Sequence, residues 1–401
     1  MGKKILFVIN TMGRAGAETA MLELLGHLDS PAYEISLYVI MGQGEMIHKL
    51  PPYVRLRNPG FDAHSVLSRE GKRGMIRTVC RAFFKNGGQI GKMRYIVKNL
   101  MPMVRRGKLQ TDKLLWRMLS DGGLRFQEEF DLAVAWLEGA SAYYVADHVK
   151  AARKCAFVHI DYESAGYTRE MDRDCWDSFD RIFMVSDEVR EHFLAVYPEH
   201  AGKAGIFHNL VDQEGIRRRS REAGGFSDGY EGKRLLTVGR LTYQKAYDIA
   251  IEAMKLLKDR GCRARWYVLG EGDQRRALEK KIAAMGLQED FLLLGAVENP
   301  YPYYAQADLY IHATRFEGKS IAIQEAQTLG RAVVASDCNG NREQIEDGAD
   351  GLLCALTPEA VADSIASLLE DEEKRIALGQ AAGRRDFAQG QELETFLALL
   401  D

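Results

Sequence analysis

Two carboxylates surround the start of a predicted helix in the stretch RFEGKSIAIQEAQTLGRAVVASD, residues 315–337. Glu317 lies in the loop that follows a strand-like segment, and Glu325 lies more than one turn into the helix, which is predicted to end at Gly330. Backbone amides near 318–321 have no partner inside the helix, so they attract an anion such as a phosphate. Each carboxylate can accept paired hydrogen bonds from a sugar diol. A diphosphate flanked by two polyols, as in a nucleotide-sugar, would explain the arrangement. The spacing of the two acids alone favours the alternative, a surface acid at the loop and a solvated acid on the helix.

Two cations follow another predicted strand in LLTVGRLTYQKAYD, residues 235–248. Arg240 offers a planar fork of donors and Lys245 a point charge, and together they can hold a diphosphate. They would also neutralise the charge that develops on a departing nucleotide. The next strand-like segment, residues 266–273, places Gly270 after its end. That glycine permits a close backbone approach, although a plain turn explains it equally well.

A glycine-bearing loop, NTMGRAGAET at residues 10–19, separates the first predicted strand from the first predicted helix. Gly13 and Gly16 suit a loop beside which a phosphate or an acceptor lies, and Arg14 between them is a candidate acceptor contact. Because the spacing is not G-x-G-x-x-G and Asp29 is poorly placed for a ribose, the loop disfavours a dinucleotide site.

His159 ends a strand-like segment in FVHIDY, residues 157–162. A histidine after a strand is commonly structural, but its place at the end of a parallel strand, where ligands of such sheets bind, favours a functional role. Asp161 is the second polar candidate there. Ser186, after the segment RIFMV, is predicted to cap a helix.

Strand-like apolar runs alternate with helical patterns along the whole chain, which predicts doubly wound α/β sheets with parallel strands. The predicted strands are residues 4–10, 34–40, 132–137, 154–160, 181–186, 204–209, 234–239, 263–270, 291–295, 309–314, 332–336 and 351–355. A charged, glycine-rich stretch between about 212 and 233 reads as a linker or a surface loop. We expect two Rossmann-like domains, residues 1–205 and 206–384, with a ligand in the cleft between them.

Composition limits the classes of function. The chain has 401 residues, a net charge of −3 and 46% hydrophobic residues, so it is long enough for two cores and lacks the charge that nucleic-acid binding needs. Its six cysteines show no metal-ligand spacing and read as reduced thiols. No stretch is long enough to span a membrane or to serve as a signal peptide, so a cytoplasmic location is expected.

The segment 69–117 is strongly basic, with fourteen Lys or Arg residues against two acids, Glu70 and Asp112. Apolar residues are interspersed among the bases. Such helices lie on anionic membrane surfaces, but solvated helices that cover a sheet have the same composition. Two interpretations therefore stay open, a peripheral contact with the inner face of the membrane and an ordinary solvated face.

In this order, the motifs VGRLTYQKAYD, VLGEGD, LLGAVENPYPYYAQADLYI and RFEGKSIAIQEAQTLGRAVVAS resemble the retaining glycosyltransferases of family 4, which have the GT-B fold. The resemblance is specific over residues 235–356 and looser before them. It implies transfer of a sugar from a nucleotide-sugar, UDP-linked in preference to GDP-linked, to a glycan or polyprenyl-linked glycan. It also implies a role in cell-surface polysaccharide or glycoconjugate synthesis, no metal, and a last helix within 385–401 that returns to the first domain.

The resemblance also implies roles for individual residues. Arg240 and Lys245 would bind the donor diphosphate, Glu317 the donor sugar and Glu325 the ribose. The segment at Val297 would lie beside the base. The resemblance implies further donor contacts in three places. They are Gly16 in the first loop, Gly270 in the segment 266–273, and Gly318, Lys319, Ser320 and Ile321 at the start of the predicted helix.

Two departures from the family pattern stand out. Ala246 occupies a position that is commonly glycine, and the run Gly318-Lys319-Ser320 replaces a Gly-Phe-Gly run. Sugar specificity is therefore not transferred. Two rival functions stay open, a nucleotide-sugar epimerase of the same architecture and an inactive glycan-binding relative; the glycine spacing disfavours an NAD-dependent oxidoreductase.

Overall fold

The structure is a computed structural model that describes residues 2–66, 68–105, 111–160, 162, 165, 167–387 and 390–400. The chain divides into two compact units, Met1–Asn209 with Gln389–Asp401 and Leu210–Ala388. Asp161, one of the residues singled out in the sequence, lies outside the described residues.

The described part of the first unit is built on a parallel sheet with the strand order β3-β2-β1-β4-β5-β6-β7. Its strands are β1 (Lys3–Ile9), β2 (Tyr33–Val39), β3 (Arg55–Leu56), β4 (Phe130–Ala135), β5 (Ala151–Val158), β6 (Arg181–Met184) and β7 (Ala204–Ile206). The central strand β1 reads KKILFVI, and its last five residues are buried. Continuous apolar sequence of this kind is required when helices cover both faces of a parallel sheet.

The helices of the first unit are α1 (Gly16–Gly26), α2 (Arg69–Phe84), α3 (Gln89–Arg105), α4 (Thr111–Asp121), α5 (Ala140–His148), α6 (Arg169–Asp172), α7 (Asp187–Val196) and α16 (Gly390–Leu397). The described part of the basic segment lies mainly in α2, α3 and α4, and α2 and α3 both pack on α4. Ser186 caps α7, because its side chain accepts a hydrogen bond from the amide of Val189, as predicted. In α16 the buried Phe396 stacks on Phe7 of β1, with ring centroids 6.0 Å apart.

In the described part of the second unit, a parallel sheet has the strand order β10-β9-β8-β11-β12-β13. Its strands are β8 (Lys233–Val238), β9 (Ala264–Leu269), β10 (Phe291–Gly295), β11 (Leu309–His312), β12 (Val333–Ser336) and β13 (Leu352–Cys354). Its helices are α8 (Gln213–Arg219), α9 (Tyr247–Asp259), α10 (Arg275–Ala284), α11 (Tyr301–Gln306), α12 (Ile321–Thr328), α13 (Asn339–Arg342), α14 (Pro358–Glu370) and α15 (Glu372–Gly383).

The predicted alternation of strands and helices is confirmed in both units. The two-residue strand β3 is too short to leave a pattern in the sequence. The prediction of a linker or a surface loop at 212–233 is wrong over its first third, which forms the helix α8. There Asp212 caps α8 by accepting the amide of Gly215 at 2.8 Å, so the local signal was a cap and not a loop.

None of the helices in the described part of the chain is long and apolar enough to cross a membrane.

Candidate active site

The strand order of the second sheet reverses between β8 and β11, since the chain runs from β8 outward to β9 and β10 and then returns to β11 on the other side. Loops that leave such a reversal point separate from each other, and ligands bind in the crevice at the carboxyl ends of the strands. The loop after β8 carries Arg240 and Lys245, and the loop after β11 carries Glu317. Residues that are far apart in sequence therefore meet at this crevice.

Lys245, Glu317 and His312 form one cluster at the reversal point. The Lys245 ammonium donates to Glu317 Oε2 and lies 3.5 Å from His312 Nε2. His312 Nε2 is in turn 3.0 Å from the same carboxylate oxygen. The side chains of Lys245 and Glu317 are 16% and 13% exposed, and that of His312 only 1%. The ion pair is thus partly accessible, whereas the imidazole beneath it is enclosed.

The cluster keeps two charges at neutral pH. Burial opposes ionisation of Glu317, but the Lys245 ammonium and His312 outweigh it and lower the pKa of Glu317 to about 2. Burial and the nearby Lys245 charge lower the pKa of His312, although Glu317 acts in the opposite direction. Tyr310 fixes the other ring nitrogen, with its hydroxyl 3.2 Å from His312 Nδ1. A neutral imidazole therefore supports an ammonium–carboxylate pair.

Backbone contacts hold the two loops together. Gln244 O accepts the amide of Arg315 at 2.8 Å and the hydroxyl of Thr314 at 3.0 Å. The Arg315 guanidinium pairs with Asp248 at 2.7 Å and lies 4.0 Å from the ring centre of Tyr243. These contacts fix the positions from which Lys245 and Glu317 project.

Arg240 is the exposed cation of this site, and its guanidinium has no hydrogen-bond or ion-pair partner among the residues the structure describes. Its loop is pressed against the loop after β9. A Cβ atom on Gly270 would lie 1.9 Å from the carbonyl oxygen of Gly239, so only glycine fits there. Gly270 therefore allows the loops after β8 and β9 to pack together. The two interpretations from the sequence, a close backbone approach and a plain turn, had not specified this packing.

The amino end of α12 points into the same group of loops. Within the described chain, no group accepts a hydrogen bond from the backbone amides of Gly318, Ser320 or Ile321. Gly340 packs directly beneath, since a Cβ atom there would lie 2.1 Å from the Gly318 carbonyl oxygen. The carboxyl end of α12 closes in a Schellman motif at Gly330, whose φ is +64°, as the sequence predicted.

Glu325 is not a solvated helix residue, because only 8% of its surface is exposed. The hydroxyl of Tyr304 donates to Glu325 Oε2 at 2.9 Å and also contacts the carbonyl oxygen of Ala322 at 3.2 Å. The tyrosine comes from α11, so a third element positions this carboxylate. Val297 lies half-buried after β10, on the far side of β9 from β8.

Ala246 adopts the left-handed conformation that the family pattern assigns to glycine. Its φ is +45° and its ψ +34°, and it is fully buried between the short 3₁₀ turn Tyr243–Lys245 and α9. The departure from glycine therefore leaves the turn intact and places a methyl group in a conformation that L residues rarely adopt.

The first unit has its own reversal point, between β1 and β4. Asn10 follows β1 and donates to the carbonyl oxygen of Glu138 at 3.4 Å, while it accepts the amide of Ser141 at 2.9 Å. The Glu138 carboxylate accepts the amide of His159 at 3.1 Å. Burial raises the pKa of Glu138 above its ordinary value, although the His159 amide opposes this shift.

His159 lies against Trp136, with ring centroids 5.3 Å apart. Burial lowers the pKa of His159 to about 4, despite an opposing hydrogen bond that the ring donates to the Trp136 backbone. Its Nε2 atom is buried and has no hydrogen-bond partner in the described part of the chain. The side chain is therefore a neutral imidazole with one unused polar atom.

The glycine-bearing loop joins β1 to α1. Gly13 is buried, and a Cβ atom there would make only ordinary contacts, the nearest at 3.5 Å to Val66. Arg14 is half-buried, and Gly16 is exposed at the first position of α1. The structure thus places these candidates on one loop at the carboxyl end of β1, and no steric need for glycine at position 13 is seen.

The sequence reasoning missed several residues of both reversal points, namely His312, Tyr310, Tyr304, Asn10 and Glu138. Two of them carried a usable signal. His312 is a polar residue at the end of an otherwise apolar strand, and Glu138 follows the apolar run LAVAWL. The contact from Tyr304 to Glu325 spans 21 positions along the chain and has no local signal.

Two doubly wound parallel sheets in one chain define a GT-B fold. A crystal structure of Anabaena Alr3699/HepE in complex with UDP and glucose is similar to this chain with a TM-score of 0.66, at 16% identity and over 99% of each chain. Residues 223–385 match the model of the glycosyl transferases group 1 family. This part of the chain, about two fifths of it, is therefore similar to the group 1 glycosyltransferases, as the motifs predicted.

Two curated relatives align with less than half of their lengths. An alpha-D-kanosaminyltransferase of Streptomyces kanamyceticus is 33% identical over 43% of this chain and 45% of that protein. An N-acetylgalactosamine-N,N'-diacetylbacillosaminyl-diphospho-undecaprenol 4-alpha-N-acetylgalactosaminyltransferase of Campylobacter jejuni is 33% identical over 46% of this chain and 49% of that protein. The chain thus spans about half the length of the curated relatives it matches.

Proposed function

We propose that the protein is a retaining glycosyltransferase that moves a sugar from a nucleotide-sugar, UDP-linked in preference to GDP-linked, to a hydroxyl of a glycan or lipid-linked glycan. The observation that carries this proposal is the cluster at the β8–β11 reversal point. It joins a partly exposed ammonium and carboxylate to an exposed guanidinium and to open helix amides. The family match over residues 223–385 covers every one of these groups.

The second unit would bind the donor diphosphate through Arg240, Lys245 and the amides at the start of α12. A diphosphate carries two negative charges that the two cations offset, and the helix amides add directed donors. In the structure Lys245 is already held by Glu317. When the donor binds, its diphosphate would replace Glu317 as the partner of Lys245. The released Glu317 carboxylate would then accept a hydrogen bond from a hydroxyl of the donor sugar.

The buried carboxylate of Glu325 would accept hydrogen bonds from the ribose hydroxyls. It lies more than a helical turn from the open amides of α12. A nucleoside would extend in that direction from a diphosphate bound at those amides. Val297, at the end of β10, would lie beside the base, and Lys319 and Ser320 would flank the phosphates.

The chemical step breaks the bond between the anomeric carbon and the diphosphate oxygen and forms a bond from that carbon to the acceptor oxygen on the same face. The acceptor proton passes to the departing phosphate oxygen. Arg240 and Lys245 stabilise the charge on the leaving group, which is strongest after the bond has broken. Because these cations supply the neutralisation, no step is routed through a metal ion.

The first unit would bind the acceptor. Its reversal point offers the neutral imidazole of His159 and the amide side chain of Asn10, which suit sugar hydroxyls better than phosphates. His159 Nε2 is the unused polar atom there, and we assign it a contact with a hydroxyl of the donor sugar or the acceptor. Gly13 and Arg14 would form the adjacent wall, with Asp161 as a further acceptor contact, and Gly16 would contact the donor.

We expect an α-linked product from an α-linked donor. The names of both relatives likewise specify alpha linkages. The test is a screen of UDP- and GDP-sugars for thermal stabilisation, since a ligand of the folded state raises its melting temperature. Stabilising donors are then incubated with glycan acceptors, and the anomeric configuration of the product is read by NMR.

Three results would contradict the proposal. They are no stabilisation by any nucleotide-sugar, an inverted product, and conversion of the donor alone into an isomer, which would instead identify an epimerase.

A further inference from the structure

Helix α3 has two apolar faces, and only one of them is packed. The side chains of Tyr95, Asn99 and Met103 are buried, and Tyr95 reaches across to the carbonyl oxygen of Met171 at 3.1 Å. The opposite face carries five exposed apolar residues, which are 50% to 88% exposed: Ile90, Met93, Val97, Met101 and Val104. At 3.6 residues per turn, these five positions fall within an arc of about 80°. A soluble helix normally places polar residues on such a face.

Basic residues border this apolar stripe. Arg94 and Lys98 are exposed and lie beside it on α3. On α2 the exposed bases are Arg69, Lys72, Arg73, Arg77 and Arg81, and the exposed apolar residues are Ile76 and Phe84. Glu70 is the single acid in the sequence of α2 and α3. The exposed residues of α2 and α3 thus combine apolar side chains with an excess of positive charge.

The bases also line a concave site. Arg77, Arg81 and Lys85 border a cavity of about 350 Å³ between α2 and the loops after β2. Cations of α2 are therefore available to an anionic headgroup that enters this cavity.

We infer that α2 and α3 form a docking surface for an anionic lipid bilayer, with the apolar stripe of α3 inserted among the acyl chains and the flanking bases on the headgroups. Amphipathic helices of this composition lie in the plane of the interface, and their binding adds apolar burial to attraction for anionic lipid. This inference concerns the first unit and does not depend on the proposed transferase activity.

A second copy of the chain fits this surface less well. Two such faces packed together would bring Arg94 and Lys98 of each copy against the bases of the other, without acids to offset them. Like charges across an interface oppose association. Charge complementarity therefore selects an anionic surface as the occupant.

The experiment is co-sedimentation of the full chain with vesicles of phosphatidylcholine alone and of phosphatidylcholine with 30% phosphatidylglycerol, at about 0.1 M salt, where exposed charges still act over roughly 10 Å. We expect at least tenfold stronger binding to the anionic vesicles. Two variants, Ile90→Ser/Val97→Ser/Val104→Ser and Arg73→Gln/Arg77→Gln/Arg94→Gln, should each reduce that binding at least tenfold. All six side chains are exposed, so the fold should persist, and circular dichroism verifies this.

Matched controls come from the second unit. Ile376→Ser removes an exposed apolar residue of α15, and Arg276→Gln/Lys280→Gln removes two exposed cations of α10; both should bind vesicles as the unchanged chain does. Equal binding to both vesicle types, or unchanged binding of the α3 variant, would overturn the inference. So would a concentration-dependent dimer, detected by light scattering, that the α3 variant abolishes while vesicles are not bound.

Discussion

The reversal points of the two sheets have the same kind of topology but differ in the charge state of their side chains. In the second unit, Lys245 and Glu317 face each other as ions over the neutral ring of His312. In the first unit, burial raises the pKa of Glu138 and lowers that of His159, and both shifts favour the neutral forms.

The difference shows what each crevice can bind. A charged ligand must displace or join existing charges, which the second unit provides at a partly exposed position. Neutral polar groups in a buried setting recognise hydroxyls through directed hydrogen bonds. The comparison therefore supports the proposal that the second unit binds the diphosphate and the first unit the polyol acceptor. The predictions below test it in order of expected effect.

The largest effect is expected from Lys245→Ala. Loss of the ammonium that stabilises the leaving group should lower kcat at saturating donor by about 100-fold or more, the usual cost of one preorganised electrostatic group. The matched control is Lys255→Ala in α9, whose exposed side chain pairs with Asp259. An undiminished kcat for Lys245→Ala would remove this residue from the mechanism.

Glu325→Ala should weaken UDP binding by roughly 1–3 kcal/mol, the value of a charged hydrogen-bonded contact. The hydroxyl of Tyr304 keeps its contact with the Ala322 carbonyl, so the variant should fold. Calorimetric titration with UDP measures the effect, and Glu289→Ala, with an 88% exposed side chain, is the control. Unchanged affinity would show that the ribose lies elsewhere.

Acidification should destabilise the first unit through His159. Its folded pKa of about 4 lies below the ordinary 6.5, so the unfolded chain takes up the proton first as the pH falls. The stability that the neutral form contributes is present above pH 6.5 and is lost progressively towards pH 4. At pH 5 the loss should be about 2 kcal/mol, and His159→Phe should lack it.

The measurement is urea unfolding at pH 7 and pH 5, followed by tryptophan fluorescence, because three of the four tryptophans belong to the first unit. His27→Phe removes an exposed histidine and should retain the full loss. Identical pH sensitivity of the His159 variant and the unchanged chain would mean that the ring is charged or solvated in the fold.

Glu317→Gln separates donor binding from catalysis. The amide no longer competes with phosphate for Lys245, so UDP should bind about two- to fivefold more tightly, in line with a partly exposed ion pair. Transfer from a UDP-sugar should nevertheless slow, since the carboxylate that contacts the sugar is gone. Glu279→Gln on α10 should change neither quantity, and weaker UDP binding by Glu317→Gln would refute the anion exchange.

The smallest effect is expected at Ala246. Glycine there would relieve about 1 kcal/mol of left-handed strain but lose a buried methyl group worth about 0.8 kcal/mol, so Ala246→Gly should be nearly neutral. Ala250→Gly in the helical interior of α9 has no such compensation and should cost about 1.5–2 kcal/mol. Equal losses for both variants, measured by urea unfolding, would show that position 246 is unstrained.

Much of the fold could be predicted from the sequence, because buried parallel strands require uninterrupted apolar runs such as ILFVI in β1 and LAVA in β4. Local chemistry also predicted the cap at Ser186 and the helix stop at Gly330. The short strand β3 and the helix α8 were missed, since two extended residues leave no period and a cap inside a charged stretch resembles a loop.

Residue type and spacing by themselves determined the two α/β sheets, the similarity of residues 223–385 to the group 1 glycosyltransferases and the side chains that could hold a diphosphate. Only the tertiary structure decided which of these groups meet. It paired Lys245 with Glu317 across 72 positions, put His312 beneath them and buried Glu325 against Tyr304. Those contacts arise where parallel strands of distant sequence end side by side, and the resulting burial and charge, which set the pKa of each group, have no counterpart in a linear pattern.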